Sequence, residues 1–529
     1  MQTLDKHRNL VLLAASVAVL AGCGSEEIAS PGSGGNVTVN ITTPPPPPPP
    51  PPPVSTLVTP AAGCPTINDS AGLRDTGTIT GATGTYRVCE LPARLTRSST
   101  LPRVAGLLYS INGRVDVGND CGTSGTPSGL ACGVDLTIEP GVILYGATGT
   151  SWMHINRGNR IFAIGSATQP IIMTSRDNVL GLTTDDSQGQ WGGLVLSGRA
   201  PITDCRVTNA APGTVDCDRQ VEGAVDPALY GGATANDNSG TLRYVQIRYS
   251  GFVLSGNSEL QALTTGGVGS GTSISFVQLH NSSDDGLEFF GGTHNATRLV
   301  ITGADDDSLD VDMGHRGVMQ YVIAVQKTSG AADSMIELDT ANALESQQPR
   351  TFLKLANFTL IHRNAAAGNG AAMRFRGTAD AALVNGIVVA GLPCLRLDGP
   401  SILTANAAIG KEGPPTFRSV AMQCGTPAVR AGDGGVTADQ AAAVFNAAGN
   451  NSTSTFTNSL TGGFINGANE TGRTATDPKT VDTRFDTTTY IGAVSGASDT
   501  WYAGWTCNSA TASFGATSTA CTTLPRITP

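Results

Sequence analysis

Aromatic side chains are scarce in this chain of 529 residues, at 5%, and charged ones make up only 14%. No stretch concentrates Lys and Arg, and the formal net charge is −10. A chain without a basic stripe has nothing to neutralise a phosphate backbone, which argues against nucleic acid as a partner. The same acidity argues against broad binding to anionic lipid surfaces. After the N-terminal leader no apolar run approaches the ~18 residues of a spanning helix. There is no CxxC or Cys/His spacing for a zinc site. There is also no GxSxG, Walker loop, HExxH or dinucleotide fingerprint. What is plentiful is glycine, 66 residues, alongside Ser, Thr and Asn.

Residues 1–22 read as an export signal. Lys6 and Arg8 form a charged start, and Leu10 to Leu20 an apolar stretch too short to cross a bilayer. Leu20, Ala21 and Gly22 precede Cys23, an order that resembles the lipobox of bacterial lipoproteins. That resemblance implies cleavage before Cys23 and a diacylglycerol on its sulfur. An ordinary secretory signal with an incidental cysteine is the alternative. Residues 23–60 follow as a tether with ten consecutive prolines, Pro44 to Pro53. In polyproline II these extend ~31 Å as a semi-rigid spacer. A ligand for a proline-binding module is the rival reading.

Ten further cysteines remain: Cys64, Cys89, Cys121, Cys132, Cys205, Cys217, Cys394, Cys424, Cys507 and Cys521. An even number in an exported chain points to disulfides. Each neighbouring pair is separated from the next by a cysteine-free stretch, so local pairing is the economical expectation, although spacing alone does not prove connectivity. A ~15-residue loop closed this way contributes roughly 3 kcal/mol. Residues 61–133 hold two of the expected pairs and read as an N-terminal cap.

From about Val134 short β-branched runs recur between Gly, Asn and Asp. Leu136–Leu144, Arg160–Gly165, Pro170–Thr174 and Thr241–Tyr249 are examples. The runs starting at Phe276, Leu299 and Tyr321 lie 23 and 22 residues apart, and those starting at Gly286 and Ser308 lie 22 apart. A period of ~22 residues with two or three short strands indicates a solenoid. The Leu and Asn positions of a leucine-rich horseshoe are absent, so a right-handed parallel β-helix is expected over residues 134–400. It would have roughly eleven or twelve coils and a length of ~50–60 Å. Residues 401–529 break the period and read as a C-terminal cap. Thr437 to Ala448 forms a helix there, and Trp501, Tyr502 and Trp505 pack on the last coil.

Alternate strand residues face opposite ways. With Leu287, Phe289, Leu309, Val311, Ile336, Leu338, Met373 and Phe375 inside, one outward file reads Glu288, Asp310, Glu337, Arg374. Its neighbour reads Phe290, Asp312, Asp339, Arg376. The third and fourth coils need insertions, being 27 and 37 residues beyond those before them. Carboxylates stacked ~5 Å apart repel. Solvation, bridging cations or raised pKa values can relieve this. Calcium, with six to eight oxygen ligands, is the expected cation for Glu288, Asp310, Asp312, Glu337 and Asp339, although no EF-hand or nonapeptide repeat is present. A solvated acidic face is the plainer alternative. The turn aspartates Asp284, Asp285, Asp305, Asp306 and Asp307 add charge. Arg374 and Arg376 would neutralise the end of the file or bind an anionic sugar. His280, His294, His315 and His362 lack regular spacing and read as loop or surface residues.

Several phrases resemble a known group: Ser239–Tyr249, Asp285–Gly292, Asp306–Gly314 and Trp501–Trp505. They are similar to exported bacterial β-helix lipoproteins of unassigned activity, often encoded beside TonB-dependent outer-membrane receptors. The fold of that group is similar to that of pectate lyases, but no motif carries lyase catalytic residues over by position. The resemblance implies a lipid-anchored protein of the bacterial outer membrane, on its surface or periplasmic face. It would bind a ligand such as a carbohydrate, or a partner such as the neighbouring receptor, without catalysis. The alternative is a calcium-dependent polysaccharide lyase or hydrolase.

Overall fold

A computed structural model describes residues 57–124, 130–224, 226–255, 258–340, 344–364 and 370–528. Cys23 and the polyproline tether lie outside the described residues. Two ladders dominate, a major sheet of 16 strands and a minor sheet of 10. The minor sheet stacks Arg94–Leu95, Arg114–Val117, Trp152–Ile155, Leu194–Ser197, Leu263–Gly266, Leu287–Phe290, Leu309–Asp312, Ile336–Leu338, Met373–Phe375 and Leu395–Leu397 in that order. Every pairing in it is parallel. The major sheet begins with the antiparallel hairpin Arg74–Gly81 and Gly84–Glu90. It then continues in parallel through strands such as Gly240–Arg248, Ser273–His280, Asn295–Thr302, Val318–Val325, Phe352–His362 and Asp380–Ala390. Together the two sheets make a right-handed parallel β-helix.

The parallel pairing starts before residue 134. Leu107–Ile111 pairs with Ile143–Gly146, and Arg114–Val117 with Trp152–Ile155, so the segment expected as a cap supplies coils of its own. Among the described residues of 134–400 the minor sheet has eight strands, where eleven or twelve coils were expected. Long excursions consume the difference, above all the stretch between Leu194–Ser197 and Gly240–Arg248.

The core lies between the sheets. Leu287, Phe289, Leu309, Val311, Ile336, Leu338, Met373 and Phe375 are all fully buried in it, as the alternation requires. The long strands bend at one residue each. Tyr244, Phe276, Arg298, Tyr321, Asn357 and Asn385 have φ between 50° and 62° in mid-strand. This left-handed conformation is unusual for residues other than glycine and asparagine. The register therefore aligns Val277 with Leu299 and Val322. Reading Phe276 opposite Leu299 is one residue out of step, because Arg298 occupies the bend that its neighbours fill with aromatic rings.

All five neighbouring cysteine pairs are disulfides: 64–89, 121–132, 205–217, 394–424 and 507–521. The helix Ala438–Phe445 starts on a capping box of Thr437 and Gln440 and buries Ala441 and Phe445. Phe445 meets Phe417 with ring centroids 5.1 Å apart, which closes the last coil. The aromatic cluster does not sit there. Trp505 stands edge-on to Tyr244 and Phe276, in much earlier coils. Amide side chains on successive coils explain the difference by gripping the C-terminal backbone. Gln278 bonds both ways with Cys507, Gln320 with Asp486, and Asn385 donates to Thr476 O at 2.8 Å. The C-terminal segment thus runs back along the helix.

Candidate acidic ladder on the minor sheet

Strand register brings Thr264, Glu288, Asp310, Glu337, Arg374 and Arg396 into one outward file. Phe290 and Asp312 pair in the neighbouring file, and Asp339 and Arg376 continue it through backbone bonds to Val311 O and Leu338 O. The turns before these strands carry a second row. Asp285 Oδ1 accepts the backbone N–H of Asp307 at 2.8 Å, and Asp307 Oδ1 that of Ser334 at 2.6 Å.

The two rows converge. Carboxylate oxygens of Asp285, Glu288 and Asp310 lie within 4.8 Å of one another, and so do those of Asp307, Asp310 and Glu337. Two further trios, Asp284–Asp285–Asp306 and Asp306–Asp307–Asp333, flank them. Of the five residues expected to hold a cation, Glu288, Asp310 and Glu337 come together. Asp312 and Asp339 belong to none of these trios. Asp312 accepts the N–H of Met313, and Asp339 lies 3.6 Å from Arg376. The missed members are the turn aspartates, which read in the sequence as generic turn formers.

The face is not a freely solvated one. Glu288, Asp285 and Asp307 are 7%, 6% and 3% exposed. Glu288 is buried among the like charges of Asp310 and Asp284, and Asp310 Oδ1 is buried without a hydrogen-bond partner. Burial, followed by the charges of neighbouring carboxylates, pushes Asp284 up to about 7 and Asp306 to about 6. Burial also takes Asp312 to about 7, and it drives Asp285, Glu288, Asp307 and Asp310 well above the carboxylate range. Lys327 lies 3.5 Å from Asp305 in the turn row, and the arginines gather at the far end of the file. Arg376 bonds Glu337 at 2.8 Å, Arg374 bonds Asp398 at 3.0 Å, and Arg396 bonds Asp398 at 2.7 Å.

The histidines are buried, not on the surface: His280, His294 and His315 are fully enclosed and His362 nearly so. Burial lowers the pKa of each. His294 and His315 pack against Phe289, where neutral imidazoles serve as core. A contact that spacing did not reveal lies upstream on the same sheet. His154 Nδ1 is 3.1 Å from Asp116 Oδ1, and Nε2 is 2.8 Å from Ser197 Oγ. All three are buried. Arg114 joins them and donates to Asp226 O and Pro227 O, so the group clamps the 199–238 excursion onto the sheet.

Two sheets of stacked parallel strands place the fold in the class of pectate-lyase-like β-helix proteins. The chain belongs to the family described as the pectate-lyase like beta helix domain, which matches residues 126–506. No curated protein and no solved structure matches it.

Proposed function

We propose that this chain is a lipid-anchored protein of the bacterial cell envelope or surface. Its minor sheet holds divalent cations, calcium first, and through them a ligand that it does not turn over. Asp310 carries the proposal, because its carboxylate belongs to two oxygen trios at once, with Asp285 and Glu288 and with Asp307 and Glu337. A cation in either trio would offset repulsion among carboxylates that have lost their water. An all-oxygen donor set suits a hard cation. Its open coordination positions would take hydroxyl or carboxylate oxygens, and the family's name points to glycans as their source. Attachment rests on the lipobox resemblance around Cys23, and service to an outer-membrane receptor on the resemblance to lipoproteins encoded beside one.

The basic residues of the ladder favour binding over lyase chemistry. A lyase needs a base near the cation. Burial works against the charge of Arg376, but its hydrogen bond to Glu337 and the charges of Glu337, Asp339 and Asp398 together outweigh this and raise the guanidinium above its ordinary value. Arg374 is engaged with Asp398 and Glu337. One observation favours a hydrolase instead: Asp312, at about 7, would be protonated near neutrality and able to act as a general acid.

The test is calorimetric titration of calcium into the wild type and into Glu288→Gln with Asp310→Asn, followed by incubation with polygalacturonate and assay of new reducing ends. Saturable binding lost in the double variant, without turnover, supports the proposal. No calcium binding by the wild type overturns it. Calcium-dependent cleavage selects the enzymatic reading.

A further inference from the structure

We infer that Lys327 and Gln188 are the two ends of an intramolecular isopeptide bond, which closes with loss of ammonia and with Asp305 as its proton carrier. Three polar side chains from separate parts of the chain meet at one corner of the helix. Lys327 follows the strand Val318–Val325, Asp305 lies in the turn after Asn295–Thr302, and Gln188 lies in the loop ahead of Leu194–Ser197.

Lys327 Nζ donates to Gln188 Oε1. Asp305 touches both reactants: its Oδ2 accepts the Gln188 Nε2–H at 2.6 Å, and its Oδ1 lies 3.5 Å from Lys327 Nζ. The Lys327 side chain is 5% exposed. A buried ammonium is tolerated when a carboxylate pairs it in good geometry. Here the carboxylate of Asp305 stands back, and an uncharged carboxamide takes the closer place. The carbon open to attack is one C=O bond, ~1.2 Å, from the oxygen that Nζ already touches. Nζ is thereby held within the near-attack limit of about 3.5 Å.

The surroundings fix all three groups. Asn281 Nδ2 donates to Asp185 O at 2.6 Å and to Ser187 O at 3.1 Å, and the Gly189 N–H to Ser250 O at 2.9 Å. The loop is therefore clamped on both sides of Gln188. Gly303, at φ 69°, leaves room for the lysine stem, since a Cβ there would lie 3.0 Å from Lys327 Cγ. Asp305 Oδ1 also accepts the Ala331 N–H at 3.1 Å. Such fixing makes an otherwise slow aminolysis unimolecular.

The step balances without an oxidant or a co-reactant. Asp305 takes one proton from the Lys327 ammonium. The freed Nζ lone pair attacks Gln188 Cδ, and the C=O π pair moves onto Oε1. Asp305, its carboxyl turned about Cβ–Cγ, then protonates Nε2. The Cδ–Nε2 bond breaks, the carbonyl reforms, ammonia leaves, and the surplus proton on Nζ departs with it as ammonium. One carboxamide and one ammonium group become one secondary amide, and Asp305 ends as it began. The bond joins positions 139 residues apart, where the widest disulfide joins positions 30 apart, and reduction does not open it.

The experiment maps tryptic peptides of the full chain after reduction and alkylation. Trypsin would release residues 177–199 and 317–327 as separate peptides from an unlinked chain. The wild type should instead give residues 177–199 joined to 317–350, uncut after Lys327 and lighter than the two peptides by one ammonia. Asp305→Asn keeps an acceptor for the Ala331 N–H but cannot carry the proton, so it should fold, as its melting curve would show, and yield the two separate peptides. Gln188→Ala removes the electrophile from a loop outside the ladders and should also free Lys327. Separate peptides of unaltered mass from the wild type overturn the inference. So does a Lys327 joined to any residue other than Gln188, or an Asp305→Asn protein linked as fully as the wild type.

Discussion

Asp285 Oδ1 accepts the backbone N–H of Asp307 at 2.8 Å, one coil away. The same carboxylate contributes an oxygen to the trio with Glu288 and Asp310. One side chain therefore sets the spacing of two coils and faces the acidic cluster. Asp307 repeats the arrangement with Ser334 and with Asp310 and Glu337. Charge repulsion in the cluster is thus imposed on residues that the coil stacking needs.

The two roles of Asp285 separate by substitution. Asp285→Asn keeps an acceptor for the N–H of Asp307 and removes a charge, so it should fold with wild-type cooperativity and bind calcium more weakly. Asp285→Ala leaves that N–H buried without a partner, which costs about 1–3 kcal/mol. Denaturant melts of the two variants in chelator check the difference. Equal stability would show that the hydrogen bond contributes nothing.

Calcium should stabilise the native protein and not an Asp310→Asn variant. A ligand that binds only the native state adds RT ln(1 + [L]/Kd), about 2.7 kcal/mol at 100 Kd. In chelator the same substitution should raise stability, because Asp310 is crowded by Glu337, Asp312 and Asp339 after burial has already disfavoured its charge. Melting curves with calcium and with EGTA read both signs. A variant that still responds to calcium would move the cation to the turn trios of Asp284, Asp306 and Asp333.

The pH dependence follows from the same groups. Asp284 and Asp312, at about 7 in the folded chain, would sit near 4 unfolded. The native state therefore holds extra protons between these values, and the stability they bring is lost as pH rises toward the folded values. Buried His280 and His294, lowered to about 3 and 4, act oppositely below about 6.5, where unfolded histidine takes up protons. Above that pH the histidine contribution fades while the carboxylates still titrate. Stability in EGTA should therefore fall between pH 6.5 and 8, and saturating calcium should flatten the curve, as thermal melts in matched buffers would record.

The minor sheet was legible because its strands are short, alternate strictly and carry no left-handed bend. From Leu287 to Phe375 apolar alternation alone places every inward residue. The major sheet was harder. Its bends reverse the alternation at Arg298 and its equivalents, so pattern matching slipped by one residue. The partners of Gln278 and Asn385 lie 229 and 91 residues away, and no local pattern encodes such clamps. The turn aspartates stayed ambiguous because a turn former and a buried ligand look alike until the next coil is laid over it. Buried His294 and His315 were missed because an isolated histidine carries no period.

Cys23→Ser tests the attachment. If the lipobox resemblance holds, cells fed a labelled fatty acid should label the wild type and not the variant, and the variant should leave the membrane fraction. Labelling that persists without Cys23 would remove the anchor from the proposed function.

The Cys205–Cys217 disulfide should act locally. It closes a loop with a sequence separation of 12 in the 199–238 excursion. In that excursion Ile202, Cys217 and Tyr230 form a cluster with Phe290, the outward neighbour of Phe289 on the minor sheet. Arg199 and Asp237 tie the excursion's ends together with a buried ion pair, so replacing both cysteines with alanine should leave those ends in place. The loss should be about 2–4 kcal/mol of local stability, concentrated in the excursion because the parallel ladders do not depend on it. Limited proteolysis should then cut between residues 203 and 220 well before the coils. Hydrogen exchange should rise at Val221 and Tyr230 in the excursion but not at Leu309 or Val311, whose backbone bonds lie within the ladder. Cleavage or exchange spread evenly through the coils would show that the excursion supports the whole helix and does not merely cover one part of it.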